Sequence, residues 1–211
     1  MQVKKFNVSL YDANSYLIND RILIDTGTNA NALLIEIGAQ ADLKNIEMII
    51  LTHCHYDHTK AAKKIAEISG ASIAIHKDDA DSLSDNIRSV ATSFGGSAPN
   101  IKPDILLDES KEISIGNGEI LKLIHTPGHT PGCICLYEEN SKSLFSGDTV
   151  FPDGSVGRTD FVGGSSNMLI ESIEKLMKFD VKVMYPGHGF VTDRDVNSQI
   201  KLSYHMAKSM I

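Results

Sequence analysis

The chain has 211 residues, of which 42% are hydrophobic and 22% charged, and its formal net charge is −7. This composition is typical of a globular domain and excludes disordered, collagen-like and disulfide-scaffold proteins. Because an acidic chain repels phosphate backbones and no apolar run approaches the ~20 residues that cross a bilayer, we expect neither nucleic acid nor a membrane as partner.

The first half of the chain alternates predicted strands with predicted helices. Runs rich in β-branched and aromatic residues, or wholly apolar in one case, indicate the strands. Apolar residues at helical spacing indicate the helices, and Gly70 is placed to end one of them. The predicted strands are 4–9, 15–19, 21–25, 47–52 and 71–75. The predicted helices are 29–41, 59–69 and 77–83.

The second half repeats this alternation after a loop at 93–103 that contains glycine and proline. The predicted strands are 119–125, 133–138, 143–146 and 181–185. The predicted helices are 165–179, which Ser165 or Ser166 is suited to cap, and 193–210. Two comparable halves of mixed elements favour a layered α/β protein whose sheets are covered by helices, although the pattern does not fix the topology.

The densest group of metal-binding residue types follows the strand predicted at 47–52. It has the pattern HxHxDH, formed by His53, His55, Asp57 and His58. His53 and His55 point to the same side of an extended segment, because side chains alternate there. Imidazole nitrogen and carboxylate oxygen suit zinc, iron, manganese or cobalt. The pattern therefore predicts a metal site, and solvated loop histidines are the alternative.

Three further residues of ligand type lie in glycine turns after predicted strands. His129 belongs to a Pro-Gly-His turn, Asp148 to a Ser-Gly-Asp turn and His188 to a Pro-Gly-His-Gly turn. Glycine lets the backbone turn sharply at each place, and loops of this kind build sites in layered α/β proteins. Each turn alone is compatible with an ordinary loop, but the three together with the HxHxDH pattern indicate one metal-binding set.

These motifs, in this order, resemble those of the metallo-β-lactamase superfamily over a span from about Asp25 to Gly189. Within it, the sequence is most similar to glyoxalase II, a hydroxyacylglutathione hydrolase, and to short glyoxalase-II-like hydrolases. The resemblance implies an α/β fold, the four-layer αβ/βα sandwich, as a single domain over 1–211. Too few residues follow Gly189 for the C-terminal helical domain by which glyoxalase II helps bind glutathione. Whether the substrate contains glutathione therefore stays open.

The resemblance also implies a centre with two divalent metal ions. Zinc is the leading candidate for both, and iron or manganese are the alternatives. The first metal would be held by His53, His55 and His129. The second metal would be held by Asp57, His58 and His188. Asp148 would bridge the two metals.

The implied activity is metal-dependent hydrolysis of a thioester or a related small ester. Two divalent cations lower the pKa of a shared water toward neutrality, which supplies hydroxide to attack the carbonyl carbon. A metal stabilises the oxyanion, and a thiolate leaves with little protonation. Asp57 is a catalytic candidate as well as a ligand, since it is suited to orient the nucleophile or accept a proton.

Two more residues match family motifs outside the ligand set. Asp25, in Ile-Asp-Thr-Gly, is predicted to orient a ligand imidazole, with an ordinary turn aspartate as the alternative. Arg158 corresponds in type and approximate place to a basic residue that contacts the glutathione part of the substrate in glyoxalase II. It is therefore a candidate for binding an anionic part of the substrate. The alternative is that Arg158 pins its own loop through Asp160.

The same residues favour or disfavour other activities that occur on this fold. A persulfide dioxygenase, which binds one iron through a set such as His53, His129 and Asp148, is the main alternative. A nuclease is disfavoured by the acidic charge. A flavodiiron role is disfavoured because His55 stands where glutamate is usual there. A β-lactamase role is disfavoured by Asp148 as the bridging carboxylate and by an N-terminus that lacks the pattern of a secretion signal.

The number of cysteines indicates the redox environment in which the protein works. Cys54, Cys133 and Cys135 are an odd and sparse set, which fits reduced thiols better than a disulfide framework. We therefore expect a cytoplasmic protein that acts on a small molecule. The sequence leaves the oligomeric state open.

Overall fold

The computed structural model describes residues 1–9 and 11–210. The chain divides into two compact units, Met1–Leu107 and Asp108–Ile211. Each unit contains one β-sheet and its own helices, so the two comparable halves indicated by the sequence correspond to two structural units.

The first unit contains a six-stranded mixed sheet. Its strands are β1 (Val3–Phe6), β2 (Ser15–Ile18), β3 (Ile22–Ile24), β4 (Met48–Leu51), β5 (Ser72–His76) and β6 (Ile105–Leu107). Its helices are α1 (Ala30–Gly38), α2 (Tyr56–Thr59) and α3 (Ala62–Ser69). Strands β1 to β3 pair antiparallel, and β3 to β6 pair parallel in chain order.

Strand β4 lies in the core of the first unit and leads directly into the HxHxDH segment. Its residues Ile49, Ile50 and Leu51 are all fully buried. A strand covered on both faces is read in the sequence as a continuous apolar run, which is why this strand was predictable. Leu33 of α1 and Ile65 of α3 pack in the same apolar core.

The second unit contains a five-stranded sheet. Its strands are β7 (Glu112–Gly116), β8 (Glu119–His125), β9 (Ile134–Glu138), β10 (Ser143–Gly147) and β11 (Val183–Pro186), and its helices are α4 (Ser166–Leu176) and α5 (Val196–Ser209). Strands β7 to β10 pair antiparallel, and β10 pairs parallel with β11. Ser165 caps α4 by accepting a hydrogen bond from the Met168 amide, as predicted.

The largest differences from the sequence prediction concern four segments. The helix predicted at 59–69 is divided into α2 and α3, and α2 begins earlier, at Tyr56. The segment predicted as a helix at 77–83 forms two short 3-10 turns, Lys77–Asp79 and Asp81–Ser84. Aspartate and serine make up most of this segment, and both residue types favour turns over helix interiors. Strands β6 and β7 were not predicted.

All three cysteines are buried, each with 1% or less of its surface exposed. Cys54 lies in the apolar core of the first unit, and Cys135 lies in that of the second. Among the described residues, no helix combines the length and the apolar character that a bilayer crossing requires.

Candidate metal centre

His53 and His55 follow β4 directly, and both side chains are buried. Their ring centroids are 4.7 Å apart, so the two imidazoles meet on one side of the extended segment, as the alternation of side chains predicts. Cys54 instead packs in the apolar core, with its Sγ 3.6 Å from the Arg88 carbonyl oxygen. The segment thus presents two imidazoles on one face and an inert thiol on the other.

Asp57 and His58 lie in α2, a single helical turn that starts right after His55. The ring centroid of His58 is 4.1 Å from that of His53, and its Nε2 lies 4.0 Å from Oδ2 of Asp57. The Thr59 hydroxyl donates to the His55 carbonyl at 2.9 Å and ties the turn to the segment before it. One turn therefore brings the four predicted ligands of the first unit into one cluster.

Asp25 is buried where β3 ends and is bonded to two elements at once. Its Oδ1 accepts the Thr52 amide at 2.8 Å, and its Oδ2 accepts the Thr52 hydroxyl at 2.7 Å. The same Oδ2 lies 2.8 Å from Nδ1 of His58. Its φ of 52° is unusual for a residue other than glycine, and these bonds hold it there. Asp25 thus fixes the ring of His58, which is the geometry that the predicted role requires.

Asp79 is hydrogen-bonded to the backbone of the histidine segment, a contact that the sequence analysis did not predict. Its side chain is fully buried, and its Oδ2 accepts the backbone amide of Cys54 at 2.9 Å. That amide lies between His53 and His55, so Asp79 sets the path of the backbone that carries both imidazoles. Nothing local distinguishes Asp79 from the other aspartates nearby, since its partner is far away along the chain.

Replacing Asp79 with alanine is expected to weaken metal binding by about 10- to 100-fold, as loss of an outer partner of metal ligands typically does. The buried Cys54 amide would lose its acceptor, which costs about 1–3 kcal/mol of stability. Metal titration with a competing chelator and thermal unfolding measure the two effects. The matched control is Asp81→Ala, at an exposed position. Equal metal affinity in the two variants would contradict this role.

In the second unit, Asp148 lies between the two predicted histidine ligands. Its Oδ2 is 3.6 Å from Nε2 of His129 and 3.5 Å from Nε2 of His188. Two atoms on one tetrahedral zinc ion lie roughly 3.3–3.5 Å apart, because each bond is about 2.0–2.1 Å long. The distances from the Asp148 carboxylate to the two histidines are therefore close to those between two ligands of the same metal ion.

The turns that carry these three residues are bonded to one another. The Gly187 amide donates to the Gly147 carbonyl at 2.8 Å, which links the His188 turn to the Asp148 turn. The hydroxyls of Thr126 and Thr149 are 2.9 Å apart and link the Asp148 turn to the His129 turn. Gly128 has a φ of 144°, and a Cβ there would lie 2.5 Å from the Leu169 Cα, so only glycine fits between this turn and α4. The cluster thus rests on a fixed backbone frame.

The orientation of the imidazoles fits metal binding. Nδ1 of His53 lies 3.1 Å from the Thr52 hydroxyl, Nδ1 of His58 contacts Asp25, and Nδ1 of His129 lies 2.6 Å from the Arg158 carbonyl oxygen. A metal-bound histidine usually donates its other ring N–H to such an oxygen, which fixes the ring. In this arrangement Nε2 of each ring carries the lone pair that a metal binds, so the donor set fits divalent cations.

Arg158 differs from the simple expectation of a substrate contact. Its guanidinium makes a two-point ion pair with Asp160, at 2.9 and 2.7 Å, and lies 4.3 Å from the centre of the Phe161 ring. Hydrogen bonding to Asp160 raises the pKa of Arg158 and lowers that of Asp160. The loop-pinning geometry is therefore present, while two thirds of the side chain stays exposed. The carbonyl of Arg158, by contrast, holds a predicted ligand, a role that sequence reasoning missed.

Residues 9–188 match the family model of the metallo-beta-lactamase superfamily. The chain belongs to this superfamily. A probable metallo-hydrolase of Methanocaldococcus jannaschii is 37% identical over 208 residues, which cover 95% of this chain and 98% of that protein. Hydroxyacylglutathione hydrolase GloC of Haemophilus influenzae is 34% identical over 201 residues, covering 91% of this chain and 92% of that protein.

Solved structures agree with this membership of the metallo-β-lactamase superfamily. The crystal structure of TTHA1623 in a di-iron-bound form has a TM-score of 0.77 and 26% identity, with 97% of each chain covered. The predicted fold class, the α/β sandwich of the superfamily, is thereby confirmed. The protein is a metal-dependent hydrolase of this superfamily, and its histidine and aspartate residues form clusters able to hold metal.

Proposed function

We propose that the protein hydrolyses a thioester or a related small ester. We also propose that it holds two divalent metal ions, with zinc as the leading candidate for their identity. The observation that carries the proposal is the 34% identity to a relative named hydroxyacylglutathione hydrolase, over 92% of that protein. An acylglutathione is a thioester, so thioester chemistry is the starting point. The specific acyl and thiol parts are left to experiment.

The proposed ligands are those that the family motifs imply. His53, His55 and His129 would hold the first metal. Asp57, His58 and His188 would hold the second, and Asp148 would be shared by both. Support comes from the clustering of these donors within each unit and from Nδ1 contacts that direct Nε2 of three histidines toward a metal. Two divalent metals lower the pKa of water and polarise a carbonyl oxygen, which is the chemistry that ester hydrolysis needs.

The residues of the chain have separate tasks in this proposal. Asp57 would orient the attacking water or accept its proton, in addition to binding metal. Asp25 and the Arg158 carbonyl would keep the rings of His58 and His129 fixed during turnover. The exposed guanidinium of Arg158 remains proposed as a contact for an anionic part of the substrate, for which it would have to exchange Asp160 for that anion.

The decisive experiment measures metal content by elemental analysis of protein purified without chelators, followed by hydrolysis of a thioester panel. The panel contains an acylglutathione and acyl thioesters without glutathione. We expect about two metals per chain and a kcat/KM of roughly 10⁴ M⁻¹s⁻¹ or more for the best substrate. About one iron per chain, with no second metal bound when metal is supplied, would instead favour the persulfide dioxygenase, to be tested by oxygen uptake with persulfides.

A further inference from the structure

A groove of about 550 Å³ lies in the first unit beside Tyr56, the residue between the proposed ligands His55 and Asp57. It is lined by residues 28–31, Tyr56, Lys64 and Phe94. These residues come from the start of α1, from α2, from α3 and from the 3-10 turn Ala91–Phe94. The groove is therefore formed by tertiary packing of four segments, and one of its residues, Tyr56, is the sequence neighbour of two proposed ligands.

One wall of the groove is aromatic and rigid. The rings of Tyr56 and Phe94 stack with centroids 5.6 Å apart and planes 27° from parallel. A Cβ added at Gly96 would lie 2.5 Å from the Tyr56 hydroxyl oxygen, so the backbone of Gly96 packs directly on this ring. Phe94 nevertheless remains 43% exposed. An exposed and fixed aromatic wall beside a cluster of metal-binding residues is suited to cover the apolar part of a small ligand.

Two ammonium groups lie in or beside the groove. The Lys64 ammonium is held 2.6 Å from the Asn31 side-chain oxygen, and the Lys60 ammonium lies 5.4 Å from the centre of the Tyr56 ring. The Tyr56 hydroxyl makes no hydrogen bond to any described residue, so it is available as a donor. None of the residues lining the groove is acidic, although the chain carries a net charge of −7. This local positive charge, with no acidic residue in the lining, favours an anion.

We propose that this groove binds a carboxylate-bearing arm of the substrate. The carbon chain of the arm would lie against Tyr56 and Phe94, and its carboxylate would be bound by Lys64, with the Tyr56 hydroxyl as a second donor. The inference rests on the proposed function and specifies it, because it defines the substrates as acidic thioesters. Lys64 is then a residue that determines specificity and takes no part in the bond-breaking step.

The test compares thioesters that differ only in a carboxylate or a carboxamide. One pair is the lactoyl thioesters of 3-mercaptopropionate and 3-mercaptopropionamide, with the charge on the thiol arm. The other pair is the glutaryl and glutaramoyl thioesters of N-acetylcysteamine, with the charge on the acyl arm. We expect the acid to be preferred in at least one pair by about fivefold in kcat/KM, mainly through KM, as one partly exposed ion pair supplies.

In the variant Lys64→Gln this preference is expected to disappear, because the ammonium proposed to bind the carboxylate is gone. The matched control is Lys63→Gln, which removes a neighbouring exposed ammonium of α3 that does not line the groove and should keep the preference. The proposal is overturned if neither pair shows a preference for the acid, or if the preference persists in Lys64→Gln.

A protein that hydrolyses neither these thioesters nor the acylglutathione of the panel described above would refute the proposed function, and the groove is then tested directly. The zinc-loaded protein is titrated with 3-phenylpropionate and with its amide, and the backbone amide signals of Asn31 and Lys64 are followed by NMR. Saturable shifts with the acid alone, absent in Lys64→Gln, would support an anion site. The same response to both compounds, or to neither, would overturn it.

Discussion

Replacing His58 with alanine is expected to remove one of two bound metals and to lower kcat/KM by at least about 100-fold. His58 is fully buried, and Asp25 lies 2.8 Å from its Nδ1. The substitution deletes a proposed ligand and also leaves the Asp25 carboxylate without its imidazole partner. Elemental analysis and the hydrolysis rate of the best thioester measure both consequences in one preparation.

The control for this variant is His205→Ala, which removes an exposed histidine of α5. It should retain both metals and the full rate, so it separates the loss of a ligand from the loss of any imidazole. Thermal unfolding of the two variants shows whether His58→Ala still folds. Full thioesterase activity of a folded His58→Ala protein with one metal would contradict the two-metal proposal.

The variant Gly157→Ala is expected to lower both the stability of the protein and its affinity for metal. A Cβ at this position would lie 1.9 Å from the Asp148 carbonyl oxygen and 3.2 Å from the His129 Cβ. Backbone atoms cannot move aside cheaply, so the segment at 157–158 has to shift. The Arg158 carbonyl then loses its position 2.6 Å from Nδ1 of His129. We expect the free energy of unfolding to fall by about 1–3 kcal/mol and the metal affinity to fall by about 10- to 100-fold.

Gly38→Ala is the matched control for that variant. Gly38 ends α1, and the nearest atom to an added Cβ there is 4.0 Å away, which is ordinary contact. Thermal unfolding and chelator competition are measured for both variants. A Gly157→Ala protein with unchanged metal affinity would show that the Arg158 carbonyl is not needed to fix His129.

Much of the candidate site was predictable because its ligands follow simple local patterns. His53 and His55 are two residues apart on an extended segment, and His129, Asp148 and His188 each sit in a glycine turn after a strand. Strand β8 has the predicted bounds, since pairs of apolar residues fill most of this short run. Such signals need only a few neighbouring residues, and the structure keeps them.

The remainder depends on contacts between distant parts of the chain. Asp79 bonds an amide 25 residues away, and the Arg158 carbonyl faces a ring 29 residues away. The backbone of Arg158 matters in a way that its side-chain type does not reveal. Strand β6 has only three residues and forms by parallel pairing with β5, so its own sequence contains little signal. The parallel order of β3 to β6 is likewise a property of the whole sheet.

The burial of the thiols has a practical consequence for handling the protein. Burial raises the pKa of Cys135 to about 11, so its thiolate fraction at neutral pH is negligible. Cys54 and Cys133 are equally shielded from solvent, although Cys54 stands between two proposed ligands. Oxidation and alkylation start from accessible thiolates, so neither should inactivate the native protein. We therefore expect that thiol reductants, which bind metals such as zinc, are not needed to protect these cysteines while metal is removed and restored.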